Sequence, residues 1–298
     1  MGKDILITGC STGFGFEAAK HLATKGHHVY ATMRDVEDRN RPAADDLRSF
    51  ATEKGVSIDV IEMDVASDES VETAASKIGN VDVLINNAGA GFIGPVESFT
   101  PEQILLQLNI NIVGTIRTAR AVLPRMREKG EGLIIQVSSV AGRAAFPANG
   151  VYHASKWGLE GISETLRLEL GPLGIDVVIV EPGPFLTSFG KNIVNGMDEE
   201  MAASYGHVAE FAEAFFARFY ELFEDPSMPT DPMVVVEDFE KLIDMPAGER
   251  PPRLISGIDF GVQEINDALE PFRLKALESM NMSDWDGAKK RSRSAGDA

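Results

Sequence analysis

Short apolar runs alternate along the chain with amphipathic stretches. Asp4-Ile5-Leu6-Ile7-Thr8 begins the pattern; it is apolar without alternation, as a strand covered on both faces should be. The stretch 17–25 predicts a helix, and His28-Val29-Tyr30-Ala31-Thr32 a second strand. A helix over 42–54, a strand over 56–63, a helix over 70–78 capped by Ser67 or Asp68, and a strand over 81–85 continue the series. A long helical stretch from about Pro101 to Glu128 precedes a fifth strand over 132–136. Trp157, Leu159, Ile162, Leu166 and Leu170 then recur at helical spacing in a helix that Tyr152 begins, and 175–180 is a sixth strand. Arg253-Leu254-Ile255-Ser256, after Pro251-Pro252, predicts a last strand, with a closing helix near 271–280. Strands and helices alternating at these lengths predict an α/β fold with a doubly wound parallel sheet. Function in such a sheet sits at the carboxyl ends of the strands.

The pattern breaks between about 184 and 250, which is long and irregular but rich in aromatic residues. Val208, Phe211, Ala212, Phe215, Phe219 and Leu222 fall on one helical face, with Phe216 and Tyr220 beside it; Phe185, Phe189 and Phe223 lie nearby. Two readings stand: an apolar lid over a hydrophobic substrate, or a core or subunit-contact helix. Asp225-Pro226-Ser227-Met228-Pro229 breaks the chain, and a further helix begins at Asp231 or Pro232. The expected organisation is one domain over 1–283 with 184–250 as a lid insertion, then a polar, solvated tail over 284–298 that holds the basic run Lys289-Lys290-Arg291-Ser292-Arg293.

Composition narrows the function classes. The 298 residues are 44% hydrophobic and 25% charged, ordinary for a globular chain with a sizeable core. A net charge of −18 lacks the basic face that nucleic acid or an anionic membrane requires. A single cysteine, Cys10, rules out an internal disulfide and fits a reducing compartment, and no His/Cys spacing suggests a metal site. His27 and His28 read as surface residues at a strand entrance. No apolar run reaches membrane-spanning length, no signal peptide precedes the first strand, and Leu6 stands where a myristoylation signal needs Ser or Thr. The expectation is a cytoplasmic protein with no membrane or nucleic-acid partner.

Chemistry-bearing residues collect at the strand ends. Gly9-Cys10-Ser11-Thr12-Gly13-Phe14-Gly15 joins the first strand to the first helix, the context in which a glycine-rich turn binds the pyrophosphate of a dinucleotide at a helix N-terminus. The second strand ends in Met33-Arg34-Asp35. Arg34 is placed for a charge-assisted contact to a 2′-phosphate, which favours NADP(H) over NAD(H), although Asp35 follows it. Asp64-Val65 ends the third strand, where a carboxylate can reach an adenine, and Asn86-Asn87-Ala88-Gly89 ends the fourth. Asn109 and Asn111 lie inside a helical stretch that disfavours them. Ser138 and Ser139 end the fifth strand; adjacent strand residues point to opposite faces, so one of them faces the site. Tyr152 and Lys156 lie at i and i+4 on one helical face, where the ammonium is expected to lower the phenol's pKa from about 10 and poise it as a general acid or base.

Together these residues resemble the short-chain dehydrogenase/reductase family, and within it the hydroxysteroid- and retinol-dehydrogenase-like members, over roughly the whole length. The resemblance rests on Thr8-Gly9-x-x-x-Gly13-x-Gly15, Asp64, Asn86-Asn87-Ala88-Gly89, Asn111, Ser139, Tyr152-x-x-x-Lys156 and Pro182-Gly183 followed by Thr187, in the family's order and spacing. Thr12 departs from those NADP-preferring members that carry a second basic residue there. The resemblance implies a Rossmann-type sheet and an oxidoreductase acting on a hydrophobic secondary alcohol, ketone or aldehyde. It implies that Tyr152 exchanges the proton with the substrate oxygen, that Lys156 lowers the pKa of Tyr152 and binds the nicotinamide ribose, and that Ser139 holds the substrate oxygen. Asn111 is expected to hold a relay water. The cofactor is expected to contact Gly9, Ser11, Thr12, Gly13, Phe14 and Gly15 of the loop. Arg34, Asp64, Val65, Asn87, Ala88, Gly89, Pro182, Gly183 and Thr187 are expected to complete the cofactor site with Tyr152 and Lys156. A homodimer or homotetramer is implied, since Gly158 and Gly161 with Ala154 and Ser155 let another helix approach. The alternatives are a cofactor-binding sensor or scaffold without turnover, and epimerisation or dehydration on the same frame. Arg34 suggests the direction of reduction.

Overall fold

The computed structural model describes residues 2–289. Seven parallel strands form one sheet: β1 (Asp4–Thr8), β2 (His28–Met33), β3 (Ser57–Glu62), β4 (Val83–Asn86), β5 (Gly132–Val137), β6 (Ile175–Pro182) and β7 (Arg253–Ser256). Their order is β3-β2-β1-β4-β5-β6-β7. The direction of winding reverses beside β1, where Ile5 registers with Val29 on one side and Val83 on the other. That reversal opens a crevice at the carboxyl ends of β1 and β4, the place where doubly wound sheets bind ligands.

Continuous apolar runs make these strands because both faces are covered. On one face Ile5, Ile7, Val29, Ile85, Ile135 and Val178 pack under α1 (Gly13–Thr24), α2 (Arg41–Lys54) and α9 (Met233–Asp244). On the other, Leu6, Leu84, Ile134 and Val177 pack under α3 (Asp68–Ala75), α5 (Gly114–Lys129) and α6 (Gly150–Leu170). Ser67 caps α3 by accepting the Ser70 N–H. β5 and β6 are buried along their whole length.

The long helix expected over 101–128 is interrupted. It runs as α4 (Pro101–Leu108), a π-helical turn over Asn109–Val113, and α5. The two asparagines that fit a helix poorly sit in that turn, and π turns mark functional positions more often than chance. Pro124 lies inside α5 and Pro271 inside α10 (Val262–Ser279), which begins well before the expected 271.

Two stretches differ from expectation. The 184–250 segment holds α7 (Glu199–Ser204) and α8 (Gly206–Glu224), but also α9, whose Val235, Val236, Phe239 and Leu242 are fully buried against the sheet. Each such side chain contributes about 1.5–3 kcal/mol by leaving water, so α9 belongs to the core and the covering segment is shorter than 184–250. Of the tail, residues 284–289 are anchored: Ala288 N–H donates to the buried Asp176 carboxylate at 2.7 Å, and Asp286 receives Arg167 at 2.7 Å. The remainder of the basic run lies outside the described residues. His27 is buried rather than at the surface; its Nδ1 accepts the Lys3 N–H at 3.1 Å, and burial lowers its pKa. His28 spans Asp4 and Asp59, 2.9 Å from each. No helix among the described residues is long and apolar enough to cross a membrane.

Candidate active site

The glycine loop is shaped by close packing. Gly9 has φ +74°, and a Cβ there would lie 2.8 Å from Ala88 Cα. At Gly15 a Cβ would meet Gly9 O and Asn87 Nδ2, each at 2.5 Å. Asn87 fastens this corner: its amide donates to Thr8 O at 2.8 Å and Gly9 O at 3.1 Å, while Thr8 Oγ1 accepts the N–H groups of Asn87 and Ala88. α1 starts at Gly13, four residues earlier than expected, and Thr12 precedes it without a side-chain cap. Its first N–H groups therefore have no side-chain cap at Thr12, which suits a phosphate-binding helix end. Thr187 lies against Gly13, and Phe14 meets Phe185 edge-on at 5.3 Å. Ser11 is half-buried and Thr12 exposed on the same turn.

At the rim, Arg34 is exposed and makes no ion pair among the described residues. Its carbonyl accepts from Asn40 Nδ2 at 2.7 Å. Asp35 takes the left-handed conformation at φ +49°, which starts the turn back into α2. Asp64 Oδ1 accepts the Ala66 N–H at 2.9 Å, and Val65 packs on Gly114 at the start of α5. Pro182 and Gly183 close the far side, where Pro182 O lies 3.4 Å from Ser139 Oγ and a Cβ on Gly183 would strike Ile258 O. A dinucleotide fits this cradle. The loop offers bare backbone and a helix N-terminus, as a pyrophosphate needs; Arg34 is exposed at the end of β2, and Asn111 Oδ1 and Lys156 Nζ lie against Gly89.

The second cluster is built by α6 and the turn after β5. Tyr152 is half-buried and Lys156 is buried. Lys156 Nζ donates to Val137 O at 2.9 Å and stands 5.7 Å from the Tyr152 ring centroid. Ser139 Oγ accepts the Ala141 N–H at 3.1 Å and stands beside the phenol; Ser138 is buried and faces away. His153 holds the same turn: Nδ1 meets Ala141 O at 2.8 Å and Nε2 accepts the Phe146 N–H at 3.1 Å. Those partners require the neutral ring with its proton on Nδ1. Asn111, in the π turn, accepts Ala90 N–H at 2.9 Å and donates to Ala90 O and to Ser155 Oγ. A Cβ on Gly89 would contact both Asn111 Oδ1 and Lys156 Nζ, so the fourth strand end, the π turn and α6 meet at that glycine.

The phenol departs from expectation. Burial pushes Tyr152 up to about 12, partly opposed by the Ser139 hydroxyl beside it, and burial lowers Lys156 to about 8, opposed by the charge on Glu160. Lys156 Nζ is held on the Val137 carbonyl, and desolvation dominates the phenol.

The aromatic segment touches this cluster at two points. Phe189 packs 5.8 Å from Tyr152, and Phe146 meets Phe215, which contacts Phe211 and Phe219 in turn. Phe185 instead joins the core. The base of the cover is pinned by a bridge between Phe92 and Val194. Sequence reading missed His153 and Phe146, which no spacing signal distinguishes. It also missed the buried charges Glu160, Glu181 and Arg253, each a single polar residue within an apolar or amphipathic run.

A seven-stranded, doubly wound parallel sheet with a glycine-rich β1–α1 corner and a Ser-Tyr-Lys cluster defines a dinucleotide-binding α/β protein. The family model for short chain dehydrogenases matches residues 3–198, and the chain belongs to that family. It is 36% identical over 222 residues to 17-beta-hydroxysteroid dehydrogenase type 1 of Homo sapiens, an alignment that covers 73% of this chain and 65% of that protein. With retinol dehydrogenase 8 of Homo sapiens it shares 41% identity over 192 residues, covering 63% of this chain and 60% of that one. The chain thus spans less than two thirds of the length of these two relatives. Among solved structures, a short-chain dehydrogenase from Streptomyces avermitilis superposes with a TM-score of 0.73 at 30% identity, covering 94% of this chain and 97% of that one. A variant of actinorhodin polyketide ketoreductase with NADPH gives 0.69 at 29% identity, covering 85% and 95%.

Proposed function

We propose that this protein is an NADP(H)-preferring oxidoreductase that interconverts a hydrophobic secondary alcohol with its ketone, or acts on the corresponding aldehyde. The observation that carries the reading is the convergence of Ser139, Tyr152 and Lys156 at the mouth of the cradle, under an aromatic cover. The nicotinamide cofactor, when bound, supplies the hydride chemistry. The chain supplies the proton and the polarisation. Ser139 Oγ, fixed by Ala141 N–H, donates to the substrate oxygen and stabilises charge developing there. Tyr152 gives its proton to that oxygen in reduction and takes it in oxidation. Lys156 favours the phenolate through space and faces the nicotinamide ribose. Asn111 holds the Gly89–Ala90 turn against α6, and its Oδ1 keeps a lone pair for a water that links Lys156 to solvent.

Phe189, Phe215 and Phe219 suit an apolar substrate body. Two similar proteins are named for steroid and retinoid alcohols, and that is the class assigned here. Arg34, exposed and without a carboxylate partner, suits a 2′-phosphate. Exposed Leu105, Leu106, Val113 and Trp157 on α4–α6 suit a homodimer or homotetramer in the cytoplasm. The test is oxidation of NADPH and NADH in parallel against steroid, retinoid and aryl ketones or aldehydes. Turnover favouring NADPH supports the reading; turnover favouring NADH overturns the role of Arg34, and nucleotide binding without turnover on any of them supports a sensor.

A further inference from the structure

Beneath α6, on the side away from the cleft, two carboxylates meet one guanidinium. Glu160 and Glu181 are 3% and 0% exposed. Arg253 Nε donates to Glu160 Oε2 at 3.0 Å and lies 3.3 Å from Glu181 Oε1. That nitrogen carries a single N–H, already committed to Glu160, so Glu181 Oε1 gains proximity to charge but no hydrogen bond. The other end of Arg253 reaches the more exposed Glu164. Asn266 donates to Glu181 Oε2 at 2.6 Å and accepts from Arg143 Nε at 2.8 Å. Glu160 Oε1, Glu181 Oε1 and Ser138 Oγ find no well-aligned partner among the described residues. Glu160 Oε1 has only the poorly aligned Ser138 hydroxyl beside it and Glu181 Oε1 has no donor, so one proton beyond those of Arg253 and Ser138 would complete the set.

We propose that Glu160 and Glu181 hold one proton between them at neutral pH, and that the protonated pair positions the Ser138–Gly142 turn that carries Ser139. The contact to the turn is direct: a Cβ on Gly142 would meet Ser138 Oγ at 2.8 Å and Glu160 Oε1 at 3.1 Å. Two buried carboxylates share one directly paired guanidinium, which Glu164 also takes, while Arg143 acts only at longer range; a buried site resists the excess negative charge by retaining a proton. Burial, and then the charge of Glu160, push Glu181 up to about 7; burial likewise raises Glu160. The charged groups around the pair are Lys156 and Glu164 on α6, Arg143 on the turn and Arg253 on β7. Lys156 lies one turn from Glu160, whose charge favours its ammonium. The positioning role rests on the reading of Ser139 as a substrate contact; the shared proton does not.

The test uses the full chain with Glu160→Gln, Glu181→Gln and Glu164→Gln. Infrared spectra at neutral pH should show a protonated carboxyl band in the wild type and in Glu164→Gln, lost as pH rises to about 9. Glu160→Gln and Glu181→Gln should each lack it, because only one buried carboxylate then remains beside Arg253, whose other end stays on the more exposed Glu164. The raised folded pKa stabilises the protein below the unfolded value of about 4.5, and that stability is lost as pH climbs through about 7. The thermal midpoint of the wild type should therefore fall across that window, and that of Glu181→Gln should stay flatter. Amide exchange at Ala141 and Gly142 should quicken in both pair variants, with kcat about tenfold lower and nucleotide affinity unchanged. No carboxyl band in the wild type overturns the shared proton. A band with unaltered exchange in both pair variants overturns the positioning role, whether or not a substrate has been found.

Discussion

Replacing Lys156 with Met should move the pH profile of alcohol oxidation, and the structure sets how far. Nζ stands 5.7 Å from the Tyr152 ring centroid and is hydrogen-bonded to Val137 O, so its influence on the phenol is through space. At an effective dielectric of about 20, a unit charge at that range favours the phenolate by about 3 kcal/mol, roughly two pH units. Burial holds the lysine down at about 8, so the ammonium and its help are fully present below that value and fade as pH rises through it. Because the phenol titrates higher than the lysine, the two groups titrate as a pair. In Lys156→Met the rising limb of turnover should shift up by about two units, and neutral-pH turnover should fall about 100-fold. Met also strands the buried Val137 carbonyl, costing about 1–3 kcal/mol of stability, so the thermal midpoint and nucleotide affinity must be followed beside the rates. Lys156→Arg, which keeps charge and donor, should leave the limb in place. A Lys156→Met enzyme with an unmoved limb and retained turnover refutes the reasoning.

Arg34→Ala should raise KM for NADPH about tenfold, the low end for a charged hydrogen bond because Arg34 is exposed, and leave NADH nearly unchanged; equal losses for both nucleotides would contradict the assignment. Gly15→Ala forces a Cβ into Gly9 O and Asn87 Nδ2, so it should lower stability by about 1–3 kcal/mol and erase the rise in thermal midpoint on adding NADPH. The proposed homo-oligomer predicts that Leu105→Glu, which places a charge on the exposed side of α4 beside Leu106, gives a monomer by light scattering; a wild-type monomer would remove that interface.

The sheet was legible because β1, β5 and β6 are unbroken apolar runs, a pattern that burial on both faces enforces. The strand-end residues followed from the same logic: parallel strands deliver their carboxyl ends to one edge, so Arg34, Asn87, Ser139 and Gly183 reach one crevice. The start of α1 was not legible, since two glycines hide a helix whose first turn is set by packing against Asn87 rather than by propensity. Asn109 and Asn111 signalled a fault in the helix but not its kind, because a π turn depends on what the freed amides bind. The core role of α9 was present as the spacing of Val235, Val236, Phe239, Leu242 and Ile243, yet the surrounding prolines masked it. The pKa of Tyr152 was read from a neighbour in sequence, whereas burial and the Ser139 hydroxyl shift it in space.

The most direct measurement compares wild type with Tyr152→Phe in single-turnover consumption of NADPH with a hydrophobic ketone, alongside nucleotide affinity by protein fluorescence. The account predicts unchanged affinity and loss of turnover, because the ring that packs against Phe189 remains while the proton donor is gone. Turnover retained by Tyr152→Phe would contradict it.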